Sequence, residues 1–315
     1  MLGRLKFYVT RVSIFLMPVA LVVGMAGFDG VGGALSFPPS QNSPSQNLEI
    51  WTWYDLDAVR NNLAGNHTLM NDLDSTTAGY DELAGPTANQ GKGWEPIGFV
   101  SVVFWDSPCG GGGSRVDWYG LNGTFDGQGH EIRDLFINRP FERDVGLFGA
   151  VDEGGVTKDI GTVNVTVIGE YYVGGLVGRN RGAVSNSYST GSVTGDWYVG
   201  GLAGINDGGT VSNSYSIGNV TGNEDVGGLV GINDRGGTVS NSFWDIETSG
   251  QPTSDGGTGK TTAEMQDIAT FTDTGTEGLD EPWHMTAVAP GETNDAYTWN
   301  IVDNETYPFL SWQAV

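Results

Sequence analysis

The 315-residue chain carries 38 Asp and Glu against 14 Lys and Arg, a formal net charge of −24. Such a field repels polyanions, which excludes nucleic-acid binding as a function class. With 51 glycines, 17% charged residues and much Val, Thr, Ser and Asn without helical periodicity, the composition excludes a helical bundle and favours strands and turns.

Residues 1–34 open with Arg4, Lys6 and Arg11, followed by an apolar run to about Gly27 and small residues at Ala26 and Ala34. The pattern is that of a secretory signal peptide or, if retained, an N-terminal membrane anchor. Either places the remainder outside the cytoplasm, extracellular or at the cell surface. Residues 35–50 read as a linker, and residues 51–143 as an N-terminal cap and first coils that begin with a helix near Asp55 to Leu63. Cys109 is the one cysteine, so no internal disulfide can form, and its Gly-rich surroundings give a passive loop thiol. His130-Glu131-Ile132-Arg133-Asp134 comes within one residue of a zinc-protease signature. It follows a turn and alternates as a strand through Ile132, Leu135 and Ile137, so its ligands do not share a helical face.

Residues 144–250 hold a repeat. Val145, Val173, Val199 and Val226 lie 28, 26 and 27 residues apart at equivalent places in four related units. Each unit reads as three short strands, a VGGLVG piece, a TVSNSYS piece and a GSVTG-like piece, with Gly, Asn and Asp at the corners. A propeller blade needs about 40 residues, so the period instead fits one turn of a solenoid, rising about 4.8 Å per coil. The expected fold class is therefore all-β: a three-sided parallel β-helix with short capping helices at its ends. Period-2 alternation places Val184, Asn186 and Tyr188 on one face. It predicts an interior ladder of Asn186, Asn213 and Asn241, bonded from coil to coil, beside a stack of Tyr188, Tyr215 and Phe243.

Residues 251–315 are expected to close the far end as a C-terminal cap, with Tyr307 to Trp312 packing back on the body. Within it, Gly259-Lys260-Thr261 imitates the end of a nucleotide-binding loop, but the first glycine position is Ser254 and no apolar strand precedes it. Thr261 and Glu264 instead have the spacing of a helix capping box, and no nucleotide is expected.

The string VGGLVGRNRGAVSNSYSTGSVTG resembles the GLUG motif, a short repeat of bacterial and archaeal surface proteins. The resemblance extends over residues 50–315 through LNGTFDGQGHEIRDLFINRP upstream and FWDIETSGQPTSDGGTGKTTAEMQD and TYPFLSWQ downstream. It implies a parallel β-helix serving as an adhesin-like surface module or envelope scaffold, a fold-level guide and no particular reaction.

The functional expectation is a non-catalytic module with no cofactor and no metal, whose partner is a glycan or a protein. The candidate contact residue is Trp197, at a corner where the next unit has Glu224. The alternative is a polysaccharide lyase or hydrolase on the same fold, for which Asp126, Arg133, Asp134, Arg139 and Arg143 are the candidates. Asp196, Asp207, Asp225 and Asp234 recur at corners and read as turn residues.

Overall fold

The computed structural model describes residues 47–105, 113–311 and 313. The leading segment 1–34, most of the 35–50 linker, Cys109 and Trp312 lie outside the described residues. No helix among the described residues is long and apolar enough to cross a membrane.

The repeat folds as a parallel β-helix. In one coil the chain runs through strands Tyr171–Gly174, Val177–Asn180, Ala183–Ser185 and Tyr188–Thr194, and the next coil repeats them as Trp197–Gly200, Ala203–Asp207, Thr210–Ser212 and Tyr215–Thr221. Each strand pairs in parallel with its counterparts above and below, so Val173 is the Cα partner of Val199, and Val199 of Val226. The four related units thus stack as four full coils. The division within a coil differs from the three pieces expected. VGGLVG breaks into two strands after Gly174, and the bend at Gly175 requires glycine, since a Cβ there would lie 2.0 Å from Ser189 Oγ and 2.7 Å from Gly201 O. TVSNSYS breaks at Asn186, where φ is +47°, a left-handed corner that Asn tolerates well.

That corner corrects the predicted interior ladder. Asn186, Asn213 and Asn241 are all left-handed and half-buried. Asn186 Nδ2 donates to Asp159 at 2.9 Å and Asn213 Nδ2 to Asn186 at 3.5 Å, while Asn241 Oδ1 accepts from the Asp280 backbone at 2.7 Å. The turn resets the alternation, so Ser187, Ser214 and Ser242 enter the interior and are linked through Ser187 N to Ser214 Oγ and Ser214 N to Ser242 Oγ, both at 3.2 Å. The buried amide ladder uses other residues. Asn180 Nδ2 donates to Asn206 Oδ1, and Asn206 Nδ2 to Asn233 Oδ1, each at 2.8 Å, with Asn180 and Asn206 fully buried. Columns of Val, Leu and Ala fill the rest of the lumen.

Tyr188, Tyr215 and Phe243 are Cα partners, and the two tyrosine rings stack at 5.0 Å, but on the outer side of the wall. The same reset explains this: Ser189 and Ser216 take the inward positions, Ser216 Oγ donating to Gly228 O at 2.7 Å. The aromatic stack is buried beneath the C-terminal region, in a second core with Met265, Phe271, Trp283, Trp299, Ile301 and Leu310. The cap therefore does two things. Residues 253–255 lie on the last coil, Ser254 and Asp255 bonding the backbone of Val230 and Asn233. The remainder covers the flank, where Tyr307 Oη donates to Asp245 at 2.6 Å and Gln313 Nε2 reaches Gly129 O of the early coils at 3.2 Å.

Thr258–Lys260 is a strand parallel to Phe243–Asp245, and Thr261 with Glu264 forms a capping box on the helix Thr262–Met265. At the other end, a Thr52–Asp55 capping box starts the helix Trp53–Ala58, whose Trp53 packs on Trp94 at 5.7 Å. The sequence does not announce the antiparallel hairpin of Phe99–Trp105 and Gly113–Tyr119.

Candidate binding surface

One flank of the coils carries two side-chain columns that run from the exposed Arg143 and buried Asp144 through half-buried rings to the exposed Glu224 and Asp225. Parallel register makes Arg143, Tyr171, Trp197 and Glu224 successive Cα partners. Beside them run Asp144, Tyr172, Tyr198 and Asp225, each left-handed with φ of 56°, 56°, 58° and 53°. This local kink turns one residue per coil outward and lets two side-chain columns stand side by side. Tyr171 stacks on Trp197 with centroids 5.9 Å apart and planes 10° from parallel, and Tyr172 on Tyr198 at 5.0 Å and 8°. All four rings are half-buried. Trp197, singled out from sequence, is thus one of four aromatic residues; Tyr171, Tyr172 and Tyr198 were legible only once the columns were aligned.

The two ends of the columns differ in charge. At the lower end, the Arg143 guanidinium lies 5.0 Å from the Tyr171 centroid and 5.1 Å from that of Tyr172. The Arg179 guanidinium lies 4.0 Å from the Tyr172 centroid and pairs with Asp144 at 3.0 Å and Asp207 at 3.3 Å. Burial pushes the Asp144 carboxyl up, while Arg179 draws it down. At the upper end, Glu224 and Asp225 are exposed and form no salt bridge among the described residues. Their field shows in Tyr198, whose phenol is raised by desolvation and then by Tyr172, Asp225 and Glu224. A third column, joined through the backbone, adds Glu142, Glu170 and Asp196, with Glu170 N on Glu142 O at 2.9 Å and Asp196 N on Glu170 O at 3.0 Å. The hairpin borders this flank: Trp118 meets the guanidinium of Arg181 at 4.1 Å and that of Arg179 at 5.5 Å. Flat aromatic faces ringed by acids suit a ligand with both apolar and cationic character.

The residues weighed for sugar chemistry are held separately. Asp126 pairs with Lys158 at 2.6 Å, and Asp134, left-handed at φ 59°, accepts from Asn164 at 2.7 Å. Arg139 is buried on Trp94 O at 2.9 Å and Glu142 at 3.0 Å, Arg133 pairs with Glu131, and Arg143 belongs to the aromatic flank. Asp207 is a buried partner of Arg179 and Arg235 as well as a corner residue. Sequence reasoning missed a cleft of about 630 Å³ between the coils and the cap, lined by Asp72, Glu131, Arg133, Tyr188 and Tyr307 among others. Burial pushes the Glu131 carboxyl up against the lowering pull of Tyr188 and Arg133. Burial also acts upward on Asp72, but hydrogen bonds from His130 and the Glu131 backbone outweigh it and leave that carboxyl low. Among the described residues, no group of three or more His, Cys, Asp or Glu is placed to hold a metal ion.

A parallel β-helix with a repeat-built aromatic flank is the class this architecture defines. Residues 169–194 and 195–221 match the family description of the GLUG motif, and the chain is a GLUG-repeat β-helix protein. It is similar to halomucin of Haloquadratum walsbyi, at 32% identity over 154 residues, 48% of this chain and 2% of that protein. It is also similar to a protein of Evansella cellulosilytica named as a Gly-rich membrane protein, at 43% identity over 189 residues, 57% of this chain and 18% of the relative. The chain thus spans under a fifth of the length of either. No solved structure matches it.

Proposed function

We propose that this chain is a surface-exposed, non-catalytic binding module that contacts its partner through the Tyr171, Tyr172, Trp197 and Tyr198 flank. The two stacked aromatic columns carry the reading, since parallel register holds four flat rings and their surrounding acids on a rigid wall. The names of the two relatives, a mucin and a membrane protein, support a surface- or membrane-associated place for the chain. The test is retention of the purified chain on a glycan array and on cells, beside Trp197→Ala and Tyr171→Ala. The expected result is retention by at least one of the two, lost in both variants at unchanged melting temperature. Absence of retention on both would end the proposal.

The cleft favours a second reading, hydrolysis of a polysaccharide, because Asp72 and Glu131 both line it beside Arg133, with hydrogen bonds holding the first carboxyl low and burial pushing the second up. Release of reducing sugar by the chain, abolished in Glu131→Gln, would establish that reading in place of the first.

A further inference from the structure

Resting on the contact surface described above, we propose that the edge strand Glu224–Gly227, with Trp197 and Tyr198 in the coil before it, docks an extended basic polypeptide segment whose arginine side chains lie over the aromatic rings.

Three observations converge on this edge. The strand Glu224–Gly227 is the outermost of its sheet, paired through Val226 with Val199 on one side. On its other side no strand pairs with it among the described residues, whereas Phe243–Asp245 is met by Thr258–Lys260 and the 230–234 strand by Asp255. Glu224 N donates to Asp196 O at 3.1 Å, and Gly228 N to Thr253 O at 3.1 Å just beyond the strand, so the outward side of residues 224–226 is the stretch no strand covers. Backbone groups on such an edge are matched by another extended polypeptide and not by a sugar. The chain leaves the Thr238–Ser240 edge similarly unpaired by a strand, but that strand carries no acid.

The second observation is charge. Glu224 and Asp225 stand exposed on the edge, with Asp196 and Glu170 behind them in the neighbouring column. A second copy of a chain with net charge −24 is repelled from such an edge, and a basic strand is attracted to it. The third lies at the opposite end of the same columns, where the protein has already solved the recognition problem with its own residues. Arg143 and Arg179 rest on the tyrosine faces, and Arg179 is simultaneously bonded to Asp144. At the upper end the rings Trp197 and Tyr198 and the acids Glu224 and Asp225 repeat that arrangement without the guanidinium. A partner arginine placed there meets a ring face and a carboxylate at once, the combination that favours Arg over Lys.

The test uses the full chain and three probes: a short, end-blocked peptide alternating Val and Arg, its Val–Lys counterpart, and a chitosan oligosaccharide as a cationic glycan. Affinity is measured by calorimetry at about 150 mM salt, where diffuse attraction is screened beyond about 8 Å. Amide hydrogen exchange reads the backbone. The Arg peptide is expected to bind more tightly than the Lys peptide and to slow exchange at residues 224–227. Trp197→Ala, and Glu224→Gln with Asp225→Asn, should each weaken it about tenfold or more. Glu277→Gln with Glu292→Gln, the same charge change at exposed positions of the cap, should weaken it less than about twofold. Equal losses from the two acid pairs would reduce the effect to overall charge and overturn the proposal, as would binding of the chitosan oligosaccharide in place of the peptides. Trp197-dependent retention on glycans or cells without peptide binding overturns the partner class alone and leaves the contact surface standing.

Discussion

Replacing Asn206 with Leu probes the interior most sharply. Asn206 is fully buried, and its amide donates to Asn233 Oδ1 at 2.8 Å and Gly209 O at 3.0 Å while its oxygen accepts from Asn180 at 2.8 Å. Asn206→Leu keeps the volume but severs both amide-to-amide links. Asn180 retains Thr210 O at 3.0 Å and Gly209 O retains the Thr238 N–H at 2.9 Å, so the main orphan is the Asn233 oxygen. Two lost bonds at about 1 kcal/mol each, with about 1–3 kcal/mol for the orphan, give a loss of about 3–5 kcal/mol. At about 2–4 °C per kcal/mol for a chain of this size, the melting temperature should fall by about 6–20 °C. Asn213→Gly supplies the contrast: the corner is half-buried, left-handed at φ 47° and held by one bond of 3.5 Å, so glycine fits and the cost should stay below about 1 kcal/mol. Thermal melts of both variants followed by circular dichroism decide the matter. A fall under about 2 °C for Asn206→Leu, or an equal fall for Asn213→Gly, would refute the assignment of the buried ladder to the Asn180 column.

Gly218 has φ of 114°, and a Cβ there would sit 2.1 Å from Gly191 O of the coil below. Gly218→Ala should therefore cost about 3 kcal/mol or more by denaturant titration, against about 1 kcal/mol for Gly236→Ala, which has an open neighbourhood at φ 78°. Trp299 is fully buried between the tyrosine stack and the cap, so Trp299→Ala should cost about 3–5 kcal/mol and expose residues beyond 262 to limited proteolysis while the coils stay resistant. Burial alone pushes the Asp245 carboxyl up, but hydrogen bonds from Thr262, Tyr307 and two backbone N–H groups leave it lowered overall. Its stabilisation is complete above the unfolded value of about 3.9 and disappears as pH falls through the lower folded value, so melts of Asp245→Asn should show a shallower acid decline than the parent. Glu131 is displaced the other way, chiefly by burial. Its contribution is greatest below about pH 4.3 and is lost as pH rises through the folded value, and Glu131→Gln should flatten the stability profile above that point.

The repeat spacing read directly as parallel stacking, because only residues separated by one coil fall side by side; Val173, Val199 and Val226 are paired as the spacing demands. Alternation failed locally at Asn186, since period-2 counting assumes a continuous strand and a left-handed residue shifts the phase by one. The same shift sent Tyr188 to the outer wall and brought serines within. The amide ladder was visible in principle, as Asn180, Asn206 and Asn233 recur after each Gly-x pair, but polar residues next to corners read as turn residues. Trp197 was legible as a corner residue facing Glu224 in the next unit. Its three aromatic neighbours were not, because Tyr172 and Tyr198 turn outward through positive φ that no residue type there announces. The hairpin and the cleft depend on long-range packing, which a repeat pattern does not encode.

Both the interior ladders and the aromatic flank require that residues one coil apart be immediate neighbours. Thr194 and Thr221 are Cα partners on adjacent parallel strands, where spacing of about 4.8 Å lies within disulfide reach. In a Cys109→Ser background, Thr194→Cys with Thr221→Cys should close an intramolecular disulfide under mild oxidation, and Thr194→Cys with Asn219→Cys should not. Failure of the first pair to close while the chain is folded, or preferential closure of the second, would contradict the register on which the whole account stands.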